Sequence, residues 1–111
     1  MARNKFGARK TVVDGITFDS MAESRRYQEL KLLEAAGEIS DLELQPSYEL
    51  QPKFKRNGKS VAAIVYRADF RYRENGVLVI EDTKGFMTKD FRLKQKLFWY
   101  QHPDLELRIT A

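Results

Sequence analysis

Apolar residues near the start of the chain come in two short runs, Thr11-Val12-Val13 and Ile16-Thr17-Phe18, separated by Asp14-Gly15. That dipeptide suits a two-residue turn, so the pattern predicts a small hairpin. The period then lengthens. Glu23, Tyr27 and Leu30 fall at i, i+4 and i+7, on one stripe of a helix that should face a sheet. Ser20 is a good N-cap, Glu23 three positions on completes a capping-box pattern, and Gly37 supplies the stop. Strand-like runs follow over residues 39–50, bent or interrupted near Pro46, and over 61–72 and 77–84. Asn75-Gly76 joins the last two as an antiparallel hairpin. Residues 51–59 read as a polar, basic loop closed by Asn57-Gly58. After the break at Gly85-Phe86-Met87, Thr88 or Asp90 starts a second helix that runs to about Tyr100. Phe91 and Phe98 share one face of it, and Phe98, Trp99 and Tyr100 read as core side chains. Past Pro103, residues 105–110 form a last strand. The expected fold is α/β, a mixed sheet holding an antiparallel hairpin and flanked by helices.

With 111 residues and no internal repeat or linker, the chain predicts a single domain over 1–111, its first ten residues a basic arm. An apolar share of 42% supports a folded core and argues against disorder. No apolar run approaches the roughly 20 residues that cross a membrane, so no membrane partner is expected. The absence of cysteine excludes disulfides and thiolate metal sites and fits a cytoplasmic protein.

Charge changes the picture through its distribution. Twenty basic residues against sixteen acidic ones give only +4. The cations cluster, however: Arg3, Lys5, Arg9 and Lys10 at the start; Lys53, Lys55, Arg56 and Lys59 in one loop; Lys84, Lys89, Arg92, Lys94 and Lys96 in a later segment. Local clusters suit a polyphosphate partner, because each neutralised phosphate releases condensed counterions. Lys89, Arg92 and Lys96 share a helix face, either a solvated face or a phosphate rail.

The candidate chemistry lies at two strand ends. Asp69 follows Tyr66-Arg67-Ala68, and Glu81-Asp82-Thr83-Lys84 follows the apolar run Val77-Leu78-Val79-Ile80. That run predicts a strand covered on both faces, where an unpaired carboxylate costs several kcal/mol. Strand alternation puts Asp82 and Lys84 on one face and Thr83 on the other. Asp69 and Asp82 can therefore meet and hold Mg²⁺, a hard cation that needs only one or two carboxylates beside substrate phosphate. Lys84 would orient the attacking water or offset charge developing on the phosphorane. The alternatives are emergence of the strand into solvent and a structural ion pair of Lys84 with Asp82 or Asp69. Glu23 either serves the capping box alone or also looks inward toward the acids. His102, the only histidine, precedes Pro103 at a helix end and reads as structural.

An acid on one strand followed by acid-x-Lys on the next resembles the PD-(D/E)XK, or restriction-endonuclease-like, nucleases. Here the match is Asp69 with Asp82-Thr83-Lys84; Ala68 replaces the proline, which removes no ligand. Glu81 competes with Asp82 for the ligand position, and parity with Lys84 favours Asp82. Over roughly residues 4–110 the chain is more closely similar to a small phage endodeoxyribonuclease family that itself resembles Holliday-junction resolvases of the phage endonuclease I type. The ordered set Asn4-Lys5-Phe6-Gly7-Ala8, Asp14 to Glu23, Gln45-Pro46, Ala68-Asp69-Phe70, Glu81 to Gly85 and Leu93 to Leu97 carries this resemblance. It implies a restriction-endonuclease-like core, with Glu23, Asp69 and Asp82 as metal-site acids and Lys84 as catalytic lysine. It further implies Mg²⁺ or Mn²⁺, a DNA substrate and a phage origin, hence the host cytoplasm. The expected activity is hydrolysis of DNA phosphodiesters, at branched DNA such as four-way junctions. Two symmetric cuts would call for a homodimer. Arg3, Lys5, Arg9, Lys10, Lys89, Arg92 and Lys96 are the expected DNA contacts. Two alternatives stand beside this: a nuclease of the same fold acting on linear, flap or single-stranded nucleic acid, and a non-catalytic DNA-binding accessory protein.

Overall fold

The structure is a computed structural model that describes residues 10–111. Strands β1 (Thr11–Val13) and β2 (Ile16–Phe18) pair antiparallel around Asp14-Gly15. Helix α1 (Met21–Ala35) follows, with the Ser20 hydroxyl accepting from the Glu23 N–H at 3.1 Å. Its buried stripe is Glu23, Ser24, Tyr27 and Leu30, the one given by helical spacing. Next come β3 (Ser40–Leu44), β4 (Ser47–Gln51), β5 (Phe54–Arg56), β6 (Lys59–Val61), β7 (Ile64–Arg67), β8 (Phe70–Glu74) and β9 (Val77–Thr83). Helix α2 (Lys89–Gln101), capped by the Thr88 hydroxyl, leads into β10 (Glu106–Thr110).

The main sheet has the order β10-β9-β8-β3. Strands β8 and β9 form an antiparallel hairpin, β3 lies antiparallel to β8, and β10 lies parallel to β9. The parallel pair follows from the α2 crossover, which returns the chain to the end of the sheet where β9 began. The fold is thus mixed α/β, with more strand than helix. Alternation along β9 divides the core. Val79 joins Phe18, Tyr27, Leu30, Phe70 and Tyr72 beneath α1, while Ile80 joins Leu50, Tyr66, Ala68, Phe91 and Phe98 beneath α2. Full burial of each large apolar side chain contributes roughly 1.5–3 kcal/mol, so both faces of β9 are strongly held.

The run 39–50 is interrupted at Pro46 as expected, into β3 and β4, because Gln45 takes φ 52° and the chain turns there toward β7. Three expectations need correction. The run 61–72 is divided among β6, β7 and β8. Strand β7 pairs with β4, β8 pairs with β3 and β9, and the chain steps from one sheet to the other at Ala68-Asp69. Residues 51–59 are no loop: Phe54–Arg56 and Lys59–Val61 pair across Asn57-Gly58, both at positive φ as a type I′ turn requires. With both faces in solvent, that hairpin lacks the alternation that betrays a strand. Finally, Trp99 and Tyr100 are 48% and 87% exposed, because α2 turns only its Phe91 and Phe98 side to the sheet.

Candidate active site

Asp69 sits where the chain crosses between sheets, and main-chain bonds fix it there. The Gln45 N–H donates to the Asp69 carbonyl at 2.9 Å, and the Asp69 N–H donates to the Glu81 carbonyl at 3.1 Å. The Ala68 N–H donates to the Pro46 carbonyl at 3.0 Å, a bond that proline at 68 would abolish. The Asp69 Oδ2 accepts from the Thr83 N–H at 2.7 Å, so its carboxylate bridges to β9 beside Asp82.

Asp82 is fully buried on the α2 side of the sheet. Its Oδ2 accepts from the Tyr66 hydroxyl, and the Lys84 Nζ lies 3.9 Å from the same oxygen. Its Oδ1 is buried with no hydrogen-bond partner. An unsatisfied buried acceptor costs about 1–3 kcal/mol, more for a charged group. The ammonium of Lys84 stands over the Phe91 ring, 4.7 Å from its centre, with its side chain 31% exposed.

The acids form one electrostatic group. Burial, then the charge of Asp82, push Asp69 up to about 8, against the lowering effect of the Thr83 N–H. The charge of Glu23 raises it further. Glu23 is raised by burial, then by Asp19, and is linked by a side-chain hydrogen bond to Asp69. Asp69 thus feels the charges of both Asp82 and Glu23. Among the described residues, no group of three or more Asp, Glu, His and Cys side chains is arranged to hold an ion. Asp69 turns one oxygen to the Thr83 N–H. The pair Asp69 and Asp82 with the orphaned Oδ1 still fits a hard divalent cation, which needs few protein oxygens and would relieve the repulsion.

Glu81 belongs elsewhere. On the opposite face of β9 it is gripped by Arg26, Nε at 2.6 Å and Nη2 at 2.9 Å, and accepts from the Tyr72 hydroxyl. Glu81 and Asp82 thus lie on opposite faces of β9, with Lys84 beside Asp82.

An open cleft of about 490 Å³ adjoins Lys84. Tyr66, Arg67, Thr88, Asp90, Phe91 and Lys94 help line it, so the N-terminus of α2 faces it together with Arg67 and with Lys94, which is ion-paired to Asp90 at 3.6 Å. Sequence reading missed Tyr66 and Arg67 as site residues. The signal was their place just before Asp69, on a strand taken to continue straight. Lys89, Arg92 and Lys96 are all exposed, together with Trp99 and Tyr100, on the outer side of α2. Lys10 is exposed; Arg3, Lys5 and Arg9 lie outside the described residues. His102 packs on Tyr48 and Phe98, ring centres 5.4 and 4.9 Å away, in the structural role expected of it.

No helix among the described residues is long and apolar enough to cross a membrane. No curated protein and no solved structure gives a significant match to the chain. One family model does, over residues 3–111, under the description "Protein of unknown function (DUF1064)". By that match, which takes in both acidic strand ends and the lysine, the chain belongs to the DUF1064 family.

Proposed function

We propose that this chain is a Mg²⁺-dependent endodeoxyribonuclease with a restriction-endonuclease-like core. The observation that carries the reading is the placing of Asp69, at the crossing between β7 and β8, against Asp82 of β9, with Asp82 Oδ1 buried and unpartnered and Lys84 beside its other oxygen. Asp69 and Asp82 would hold the cation, with Glu23 behind Asp69 as a third acid. When bound, Mg²⁺ or Mn²⁺ polarises the scissile phosphate and lowers the pKa of a water molecule. The Tyr66 hydroxyl fixes the Asp82 carboxylate, which leaves Oδ1 as its free donor oxygen. Lys84 orients the attacking water or offsets charge developing on the phosphate oxygens. The cations of the cleft and the outer α2 face take flanking phosphates. The substrate in this reading is branched DNA such as a four-way junction, cut by a homodimer whose two-fold axis matches that of the junction. The phage origin and host-cytoplasmic setting belong to the same proposal.

The test is cleavage of matched four-way and linear DNA with Mg²⁺ or Mn²⁺. Asp82→Asn is expected to lower the rate at least 100-fold with the fold retained, and wild-type cleavage by that variant would sink the assignment. A non-catalytic DNA-binding role is the second reading, favoured by the bond from Tyr66 and the nearby Lys84, which engage Asp82 Oδ2 without a metal. Absence of metal-dependent cleavage on any DNA would favour it.

A further inference from the structure

Between Glu49 and Asp69 the chain has no acidic residue, yet it carries Lys53, Lys55, Arg56, Lys59 and Arg67. The first four lie on or beside the β5–β6 hairpin, which forms a two-stranded sheet of its own, apart from the main sheet. Residues 52–60 are all exposed. Among the described residues no carboxylate forms an ion pair with Lys53, Lys55, Arg56 or Lys59. Arg56 and Lys59 are direct cross-strand partners, a like-charge pairing that destabilises a hairpin. A free two-stranded hairpin is already marginal in water. Folding alone gives no reason for this concentration of cations, and local conflict of this kind points to a binding role.

The hairpin also has a definite place. Residues 52–53 and 62–63 join it to the β4–β7 pair, whose Leu50 and Tyr66 are core side chains. That pair supplies Ser47, Val65, Tyr66 and Arg67 to the wall of the cleft beside Lys84. The radius of gyration, 15.9 Å, exceeds the roughly 13 Å of a compact domain of about this length, so the molecule is extended.

We propose that the β5–β6 hairpin is a ribbon that enters the major groove of duplex DNA next to the cleft. Lys53, Lys55, Arg56 and Lys59 meet the phosphates along the groove walls. The major groove of B-form DNA, about 12 Å wide, admits a two-stranded ribbon. The deep, narrow major groove of an RNA duplex does not, so the ribbon distinguishes the two. The inference deepens the nucleic-acid reading of the same site but rests on no step of cleavage.

The experiment measures binding of the full chain to 20-bp DNA and RNA duplexes in EDTA, by fluorescence anisotropy across 50–200 mM salt. Wild type is compared with the quadruple variant Lys53→Gln, Lys55→Gln, Arg56→Gln, Lys59→Gln. Wild type is expected to prefer the DNA duplex at least tenfold. The variant should lose that preference, with the slope of log K against log salt flattened by about 3–4, at roughly 0.9 for each phosphate no longer neutralised. Its thermal midpoint should not fall, because the replaced side chains are exposed. Equal affinity of wild type for the two duplexes, or an unchanged slope in the variant, overturns the proposal. So does loss of a dimer in the variant without loss of DNA affinity, which would make the hairpin an interface between copies. Metal-dependent cleavage is scored separately: hairpin-dependent binding without cleavage keeps the ribbon and removes the nuclease, and cleavage with hairpin-independent binding does the reverse.

Discussion

Asp69→Asn offers a sharp test of the crowded acid pair, because it removes charge while leaving shape. The asparagine oxygen can still accept from the Thr83 N–H, now at 2.7 Å from Asp69 Oδ2. In the metal-free protein the folded carboxyl ionises near 8 against an ordinary 3.8, raised first by burial and then by Asp82. A raised pKa means that the folded state holds the proton more tightly than the unfolded chain does. The resulting stabilisation is complete below pH 3.8 and is lost as the pH climbs through about 8. At pH 7 the loss accumulated since pH 3.8 has a ceiling of about 4 kcal/mol, at about 1.36 kcal/mol per pH step. Coupling to Glu23 brings the expected value below that ceiling. For a domain of this size each kcal/mol is roughly 4 °C in thermal midpoint. Melting in EDTA, followed by circular dichroism from pH 4 to pH 8, should show the variant drawing ahead of wild type as pH rises. Mg²⁺ should restore wild type by about 2.7 kcal/mol at a hundredfold excess over Kd and do little for the variant. Parallel pH profiles for the two proteins, or equal stabilisation of both by Mg²⁺, would refute the account of the site.

Lys84→Met should reduce cleavage about 100-fold while Mg²⁺ still raises the thermal midpoint, since the lysine assists chemistry and does not hold the ion; unimpaired cleavage would remove it from the mechanism. Arg26→Met should destabilise by about 3–5 kcal/mol, read from urea denaturation, because it leaves the buried Glu81 charge without its bidentate partner; a loss below about 1 kcal/mol would contradict the assignment of Glu81 to the structural network.

Much of the architecture was legible because local signals agreed with tertiary packing. Ser20 and Glu23 announced α1, Asn75-Gly76 announced the β8–β9 hairpin, and the unbroken apolar run of β9 announced coverage on both faces. Alternation alone separated Asp82 from Glu81. What failed had no local period. The crossing at Ala68-Asp69 depends on bonds to Pro46 and Glu81, which are distant in sequence, so a run rich in strand formers read as continuous. The β5–β6 hairpin buries neither face. Trp99 and Tyr100 were taken for core on residue type, whereas position relative to Phe91 and Phe98 decides which side of α2 is buried.

The anchoring of Asp69 to Gln45, and of its neighbour Ala68 to Pro46, runs wholly through main-chain atoms. Any residue except proline offers an N–H at position 45, and every residue offers a carbonyl at 46. A saturation scan would therefore record position 45 as indifferent to side-chain chemistry, tolerant of glycine and asparagine and averse to valine and isoleucine, whose branching resists φ 52°. The tether that steadies the aspartate would leave only a backbone preference as its trace in such a survey, and lineages could exchange that side chain among residues that accept this φ without moving the acid.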